Sequence, residues 1–158
     1  MMKFPKSARI HHRSLQERLF RDGTKLHEYP LRLTWNALSG EELERNFRNK
    51  VPEGIGAVQV LVSVPKKKRR KAVDRVLMRR RIREAYRLGY YRLKEKVEGM
   101  ERIRTLSIGL VYMKEENATF KEIKEKLDRL FVKLAAKIDE KYNADDEEGS
   151  DVAAASAD

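Results

Sequence analysis

The sequence predicts an α+β fold with one sheet, in the order helix, strands, long helix, strand, helix. Three observations carry that expectation. Residues 57–64 (AVQVLVSV) and 105–113 (TLSIGLVYM) are short, β-branched, nearly continuous apolar runs, as strands buried on both faces require. Residues 25–38 alternate apolar and polar positions, the period of a strand. The segments after the two apolar runs carry apolar residues three and four apart, the period of helices. A length of 158 residues suits a single domain with one modest core.

In chain order, residues 1–13 (MMKFPKSARIHHR) show no periodicity and read as a loose basic arm. Ser14 and Glu17 have the spacing of a capping box. Leu15, Leu19 and Phe20 form a short apolar face, and Gly23 suits a left-handed helix end. In the alternating stretch Leu31, Leu33 and Trp35 point one way, and Arg32, Thr34 and Asn36 the other. That polar face suits either a ligand or solvent. Ser39 and Glu42 can cap a short helical turn that Pro52 and Gly54 close off. Pro65 ends the first apolar strand, and Gly99 is a stop for the long helix. Thr119 and Glu122 repeat the capping pattern. Phe120, Ile123, Leu127, Leu130, Phe131, Leu134 and Ile138 then form a core-facing stripe. Residues 143–158 hold six acids and no base, so the folded domain is expected over 14–142 and a disordered acidic tail after it.

Residues 66–87 (KKKRRKAVDRVLMRRRIREAYR) contain twelve Lys or Arg and two acids, a net of +10 against +11 for the whole chain. Charge this dense calls for a polyanion. Projected at about 100° per residue, Met78, Ile82, Ala85, Tyr86 and Gly89 share one arc. Arg75, Arg79, Arg83 and Arg87 descend a neighbouring arc beside Arg80. The result is a docked helix with a guanidinium stripe, preceded by a basic loop over 66–71. Arginine's planar fork can grip phosphate oxygens and stack on bases, so nucleic acid is the expected partner.

Other chemistry is thinly represented. With no cysteine there is no disulfide, thiolate site or cysteine nucleophile, and a reducing, cytoplasmic location fits. No apolar run approaches the length of a membrane span, and the N-terminus lacks a signal-peptide h-region, so no membrane partner is expected. His11, His12 and His27 lack metal-site spacing. The paired carboxylates Glu41/Glu42 and Glu115/Glu116 read as solvated surface groups. No constellation for hydrolysis by the protein's own side chains is visible.

The basic helix has a further property. KAVDRVLMRRRIREAYR resembles the signature of the bacterial ribonuclease P protein subunit, through Ala72, Val73, Arg75, Arg80, Ile82, Arg83, Glu84, Ala85, Tyr86 and Arg87, with Arg79 at a lysine position. VLVSVPKKK and RLFRDGTKLHEYPLRL extend the resemblance over about residues 14–138. It implies a single-domain α-β-β-β-α-β-α sandwich with one mainly antiparallel sheet and a left-handed βαβ crossover. It also implies an accessory subunit of the endoribonuclease that removes the 5′ leader of precursor tRNA. In that enzyme the active site and most of the Mg²⁺ belong to the RNA subunit, with one protein per RNA. By position the resemblance assigns Lys66, Lys67, Lys68, Arg69, Arg75 and Arg80 to the RNA subunit. It assigns Phe20, Arg79 and Arg83 to the leader, and strand alternation adds Arg32 and Thr34. Gln16 and Thr34 replace family aromatics, while Val76 and Leu77 replace an asparagine and an arginine. Val76 falls in the arginine arc, and Leu77 is expected to be exposed. The alternative is a structural or ribosomal RNA-binding protein without a part in processing; a nuclease and a major-groove DNA binder are the remaining rivals.

Overall fold

The computed structural model describes residues 5–157, with side chains as far as residue 143. Its elements are α1 (Arg13–Asp22), β1 (Thr24–Glu28), β2 (Leu31–Leu38), α2 (Gly40–Asn46), β3 (Val58–Ser63), α3 (Ala72–Gly89), α4 (Tyr91–Glu98), β4 (Thr105–Tyr112) and α5 (Phe120–Ala157). The disordered tail expected over 143–158 falls, from residue 144, outside the residues whose side chains are described.

The four strands form one mixed sheet in the order β1-β2-β4-β3. β1 and β2 form an antiparallel hairpin around Tyr29 and Pro30, so the long alternating stretch supplies two strands. β2 and β4 are also antiparallel, and β3 lies parallel to β4. The parallel pair needs a crossover, which α3 and α4 provide.

Alternation sorts the sheet into two faces. Leu31, Leu33 and Trp35 of β2, Val58 and Val60 of β3, and Leu106, Ile108, Leu110 and Tyr112 of β4 meet the apolar arcs of α3, α4 and α5 in the main core. There Met78, Ile82, Ala85 and Tyr86 are buried as projected, as are Ile123, Leu127, Leu130, Leu134 and Ile138. Phe120, at the start of that stripe, remains 37% exposed. On the opposite face Leu15 and Leu19 of α1 join Ile10, Leu38, Leu43 and Ile55 in a second, smaller core.

Several local expectations resolve differently in three dimensions. The Ser39/Glu42 box forms, with Glu42 N donating to Ser39 Oγ at 3.2 Å and Ser39 N to Glu42 Oε1 at 3.2 Å. Ser14 caps nothing: α1 starts two residues earlier than that box would set it, with His12 at its N-cap, and Ser14 Oγ accepts from Asn46 Nδ2 at 3.1 Å. Gly23 ends α1 at φ −71°, an ordinary conformation. It is needed for space, because an added Cβ would stand 2.2 Å from the Leu19 carbonyl oxygen and 2.6 Å from Thr34 Cγ2. The long basic helix stops being continuous at Tyr90, and Gly99 closes its shorter continuation α4.

The stretch read as a loose arm is docked where it is described. Lys6–Ala8 form a 3₁₀ turn, Ala8 and Ile10 are buried, and Ile10 N donates to the Val60 carbonyl at 3.1 Å. Burying Ile10 beside Leu15 and Leu19 anchors this segment, a long-range contact that aperiodic sequence does not announce.

Candidate nucleic-acid interface

The α1-side face of the sheet is built from Arg32, Thr34 and Asn36 of β2, Ser107, Gly109 and Val111 of β4, and Gln59, Leu61 and Ser63 of β3. The register aligns them in rows: Thr34, Gly109 and Leu61 form one, and Arg32, Val111 and Ser63 the next. α1 covers the first row. A Cβ on Gly109 would meet Leu19 Cδ2 at 3.2 Å and the Phe20 ring at 3.4 Å, so glycine here lets α1 rest close on the strand. Phe20 is left 46% exposed, its ring edge over Gly109. Beyond it the second row carries the half-buried Arg32, whose Nε lacks a hydrogen-bond partner among the described residues. Thr34 is fully buried beneath α1. Its side chain is therefore covered and does not present an outward contact. Alternation placed Thr34 on the correct face, but α1 covers that position.

The arginines of α3 divide by what already holds them. Arg75 is half-buried and donates to the carbonyls of Arg69 at 3.0 Å and Arg70 at 2.7 Å, tying the basic loop to the helix. Arg69 pairs with Asp74 at 2.9 Å and donates to the Glu115 carbonyl, so much of its guanidinium is occupied in joining that loop to the β4–α5 connection. Arg81 donates to the Ala118 carbonyl at 2.5 Å. Arg87 pairs with Glu84 at 2.6 Å. Arg80 and Arg83 are exposed and Arg79 half-buried, and none of the three has an ion pair among the described residues. They are the arginines of the stripe with most capacity for an external anion.

Lys66 and Lys67 are exposed and Lys68 half-buried. Lys67, Lys68, Arg69, Arg70 and Lys71 line an open pocket of about 430 Å³ with Asp74 and Glu115 at its rim. Five cations against two acids leave it net positive, and one of those acids, Asp74, already pairs with Arg69.

Positive charge concentrates again where α3 passes β3. The pKa of Arg83 is pushed below the usual arginine value, first by desolvation and then by the positive charges of Arg9 and Arg79. Arg9 was absent from the sequence-based candidates, as was Gly109. A glycine inside an otherwise β-branched strand is a signal of close approach and could have pointed to the second. Val76 is 46% exposed within the arginine arc, as projected. Leu77 is not exposed: it is half-buried and packs against the main core, on the side of α3 where Asp74 accepts from Asn117 and Arg81 donates to the Ala118 carbonyl.

Among the described residues no group of three or more His, Asp or Glu side chains converges as a metal site. No helix among them is long and apolar enough to cross a membrane.

Comparison with known proteins agrees with this architecture. The RNase P protein of Staphylococcus aureus superposes with a TM-score of 0.53 at 20% identity, covering 82% of this chain and 96% of that one. The RNase P protein of Thermotoga maritima superposes with a TM-score of 0.51 at 19% identity, covering 77% and 93%. No curated protein sequence matches. At these identities the structures establish a shared fold, and the sequence family is decided separately: the Ribonuclease P family model matches residues 4–135, most of the domain including the whole basic helix. The chain thus belongs to the Ribonuclease P family, that of the bacterial ribonuclease P protein subunit.

Proposed function

We propose that this protein binds the ribonuclease P RNA and the 5′ leader of precursor tRNA, and promotes Mg²⁺-dependent removal of the leader by an active site in the RNA. The observation that carries this reading is the pairing of an exposed sheet face, with Phe20 over Gly109 and Arg32 in the next row, with arginines that have no acidic partner among the described residues. Single-stranded RNA suits such a surface, since bases can stack on an aromatic and the backbone can follow the cations. Arg80 and the 66–68 lysines are assigned to the RNA subunit, together with Arg69 and Arg75, which first organise the loop that presents them. Phe20, Arg32, Arg79 and Arg83 are assigned to the leader; Thr34, being buried, is not.

The protein's own carboxylates and imidazoles do not fit a resident Mg²⁺, because among the described residues they do not converge. No chemical step is therefore assigned to its side chains. Their contribution is to position the RNA strands and offset phosphate repulsion between them, acting in the cytoplasm as one protein per RNA. The test is the affinity of the protein–RNA holoenzyme for precursor tRNA with and without its leader. The protein should strengthen binding of the leader-bearing substrate well beyond that of the leaderless one. Equal strengthening of both would overturn the leader assignment.

A further inference from the structure

The N-terminal segment does more than cover a core. Arg9 forms a parallel bridge with Val60, continuing the sheet past the edge of β3. In that register Ile10 turns to the α1-side core, while Arg9, paired with Val60, turns to the face against which α3 packs. Arg79 and Arg83 stand one helical turn apart on the flank of α3 opposite Asp74 and Arg81, which bind the connection to α5, and because α3 packs on β3 that flank lies toward the same edge. The segment is held there by Ile10 N to the Val60 carbonyl at 3.1 Å. Gly56 N at 3.1 Å and Gln59 Nε2 at 3.4 Å both donate to the Ser7 carbonyl. Gly56 permits this approach, because a Cβ there would lie 2.5 Å from the Ser7 oxygen.

We infer that Arg9, Arg79 and Arg83 form one phosphodiester-binding clamp, completed only when the N-terminal segment is docked on β3. Three guanidiniums gathered from two distant parts of the chain can offer one anion several charge-assisted hydrogen bonds, more than any one of them could alone. The effect of the Arg9 and Arg79 charges on Arg83 agrees with such a grouping. The inference rests on the RNA-binding role proposed above, and adds to it a residue and a conformational condition.

Two substitutions test it by different routes. Arg9→Gln removes the guanidinium, whereas Gly56→Ala displaces the Ser7 contact and leaves every charge in place. Lys6→Gln, an exposed cation in the same segment, is the control for net charge. Binding is measured by fluorescence anisotropy over 50–200 mM salt, for the full-length protein with ribonuclease P RNA, and for the holoenzyme with leader-bearing and leaderless precursor. Arg9→Gln is expected to weaken one of these interactions by about fivefold to tenfold and to reduce its salt slope by about 0.7. Gly56→Ala should weaken the same interaction, with its helix content by circular dichroism unchanged. Loss with the RNA subunit alone places the phosphodiester there, and loss confined to leader-bearing substrate places it in the leader; either supports the clamp. Arg9→Gln behaving like Lys6→Gln or like wild type throughout overturns it, and should Gly56→Ala fail to fold, that comparison decides alone. Wild-type protein that binds these RNAs without promoting cleavage overturns the processing role and leaves the clamp standing.

Discussion

Replacing Phe20 with alanine separates recognition from folding more cleanly than any other change on the exposed sheet face. The ring is 46% exposed and touches the fold mainly through its edge over Gly109, whereas its neighbour Leu19 is fully buried and anchors α1. Roughly half of a phenylalanine's burial is therefore lost, about 1 kcal/mol of stability at the usual area coefficient. For a domain of this size that lowers Tm by about 2–4 °C. A base stacked on the ring contributes about 1–3 kcal/mol, so leader affinity should fall by about 5-fold to 150-fold. Anisotropy of a leader-labelled precursor against holoenzyme reads the affinity, and thermal unfolding of the free protein reads the stability. A loss of affinity below about twofold, with Tm lowered as expected, would refute the placement of a base on Phe20.

Other changes have equally definite outcomes. Val76→Asn adds a hydrogen-bonding group at an exposed position of the arginine arc, and should tighten binding to ribonuclease P RNA with little change in Tm, as read by titration at several salt concentrations. Leu77→Arg, by contrast, removes a half-buried side chain from the main core and should lower stability by about 1 kcal/mol in urea unfolding. Gly23→Ala forces a methyl against the Leu19 carbonyl and Thr34, and should cost about 1–3 kcal/mol by the same measurement. The fully buried Tyr86 has its pKa raised well above 10.0, first by desolvation. Its neutral form is thus favoured by folding: the contribution is complete below pH about 10, where the unfolded tyrosine titrates, and is lost as pH rises toward the folded value. Unfolding curves should show stability falling above pH about 10, and Tyr86→Phe should make that fall shallower.

Much of this architecture is readable in the chain because the decisive signals are periodic. The β-branched runs at 57–64 and 105–113 read as strands and pair as β3 and β4, but only β4 is central: β3, whose apolar run pointed to the middle of the sheet, is its last named strand, with its outer side bridged at Val60 by the N-terminal segment. The arc of Met78, Ile82, Ala85 and Tyr86 identified the docked side of α3 for the same reason. What stayed hidden depends on partners distant in sequence. Whether Ser14 caps a helix or accepts from an amide is decided by Asn46, thirty-two residues away. Thr34 lies on the expected face of β2, but only the packing of α1 over Gly109 shows that this position is closed. Charge counting marked Arg69 and Arg75 as free cations, whereas Asp74, Glu115 and the loop carbonyls already engage them. Arg9 escaped notice because its role comes from one bridge to Val60, too short a pattern to register as a strand.

The central claim is that the protein positions RNA while the RNA performs the chemistry, and reconstitution tests it most directly. Precursor tRNA is incubated at low Mg²⁺ with a bacterial ribonuclease P RNA alone, with the protein alone, and with both, and the 5′ end of the product is mapped. Cleavage at the mature 5′ end should be strongly stimulated in the mixture and absent with protein alone. Failure of the protein to stimulate the RNA, or cleavage by the protein by itself, would contradict that division of labour.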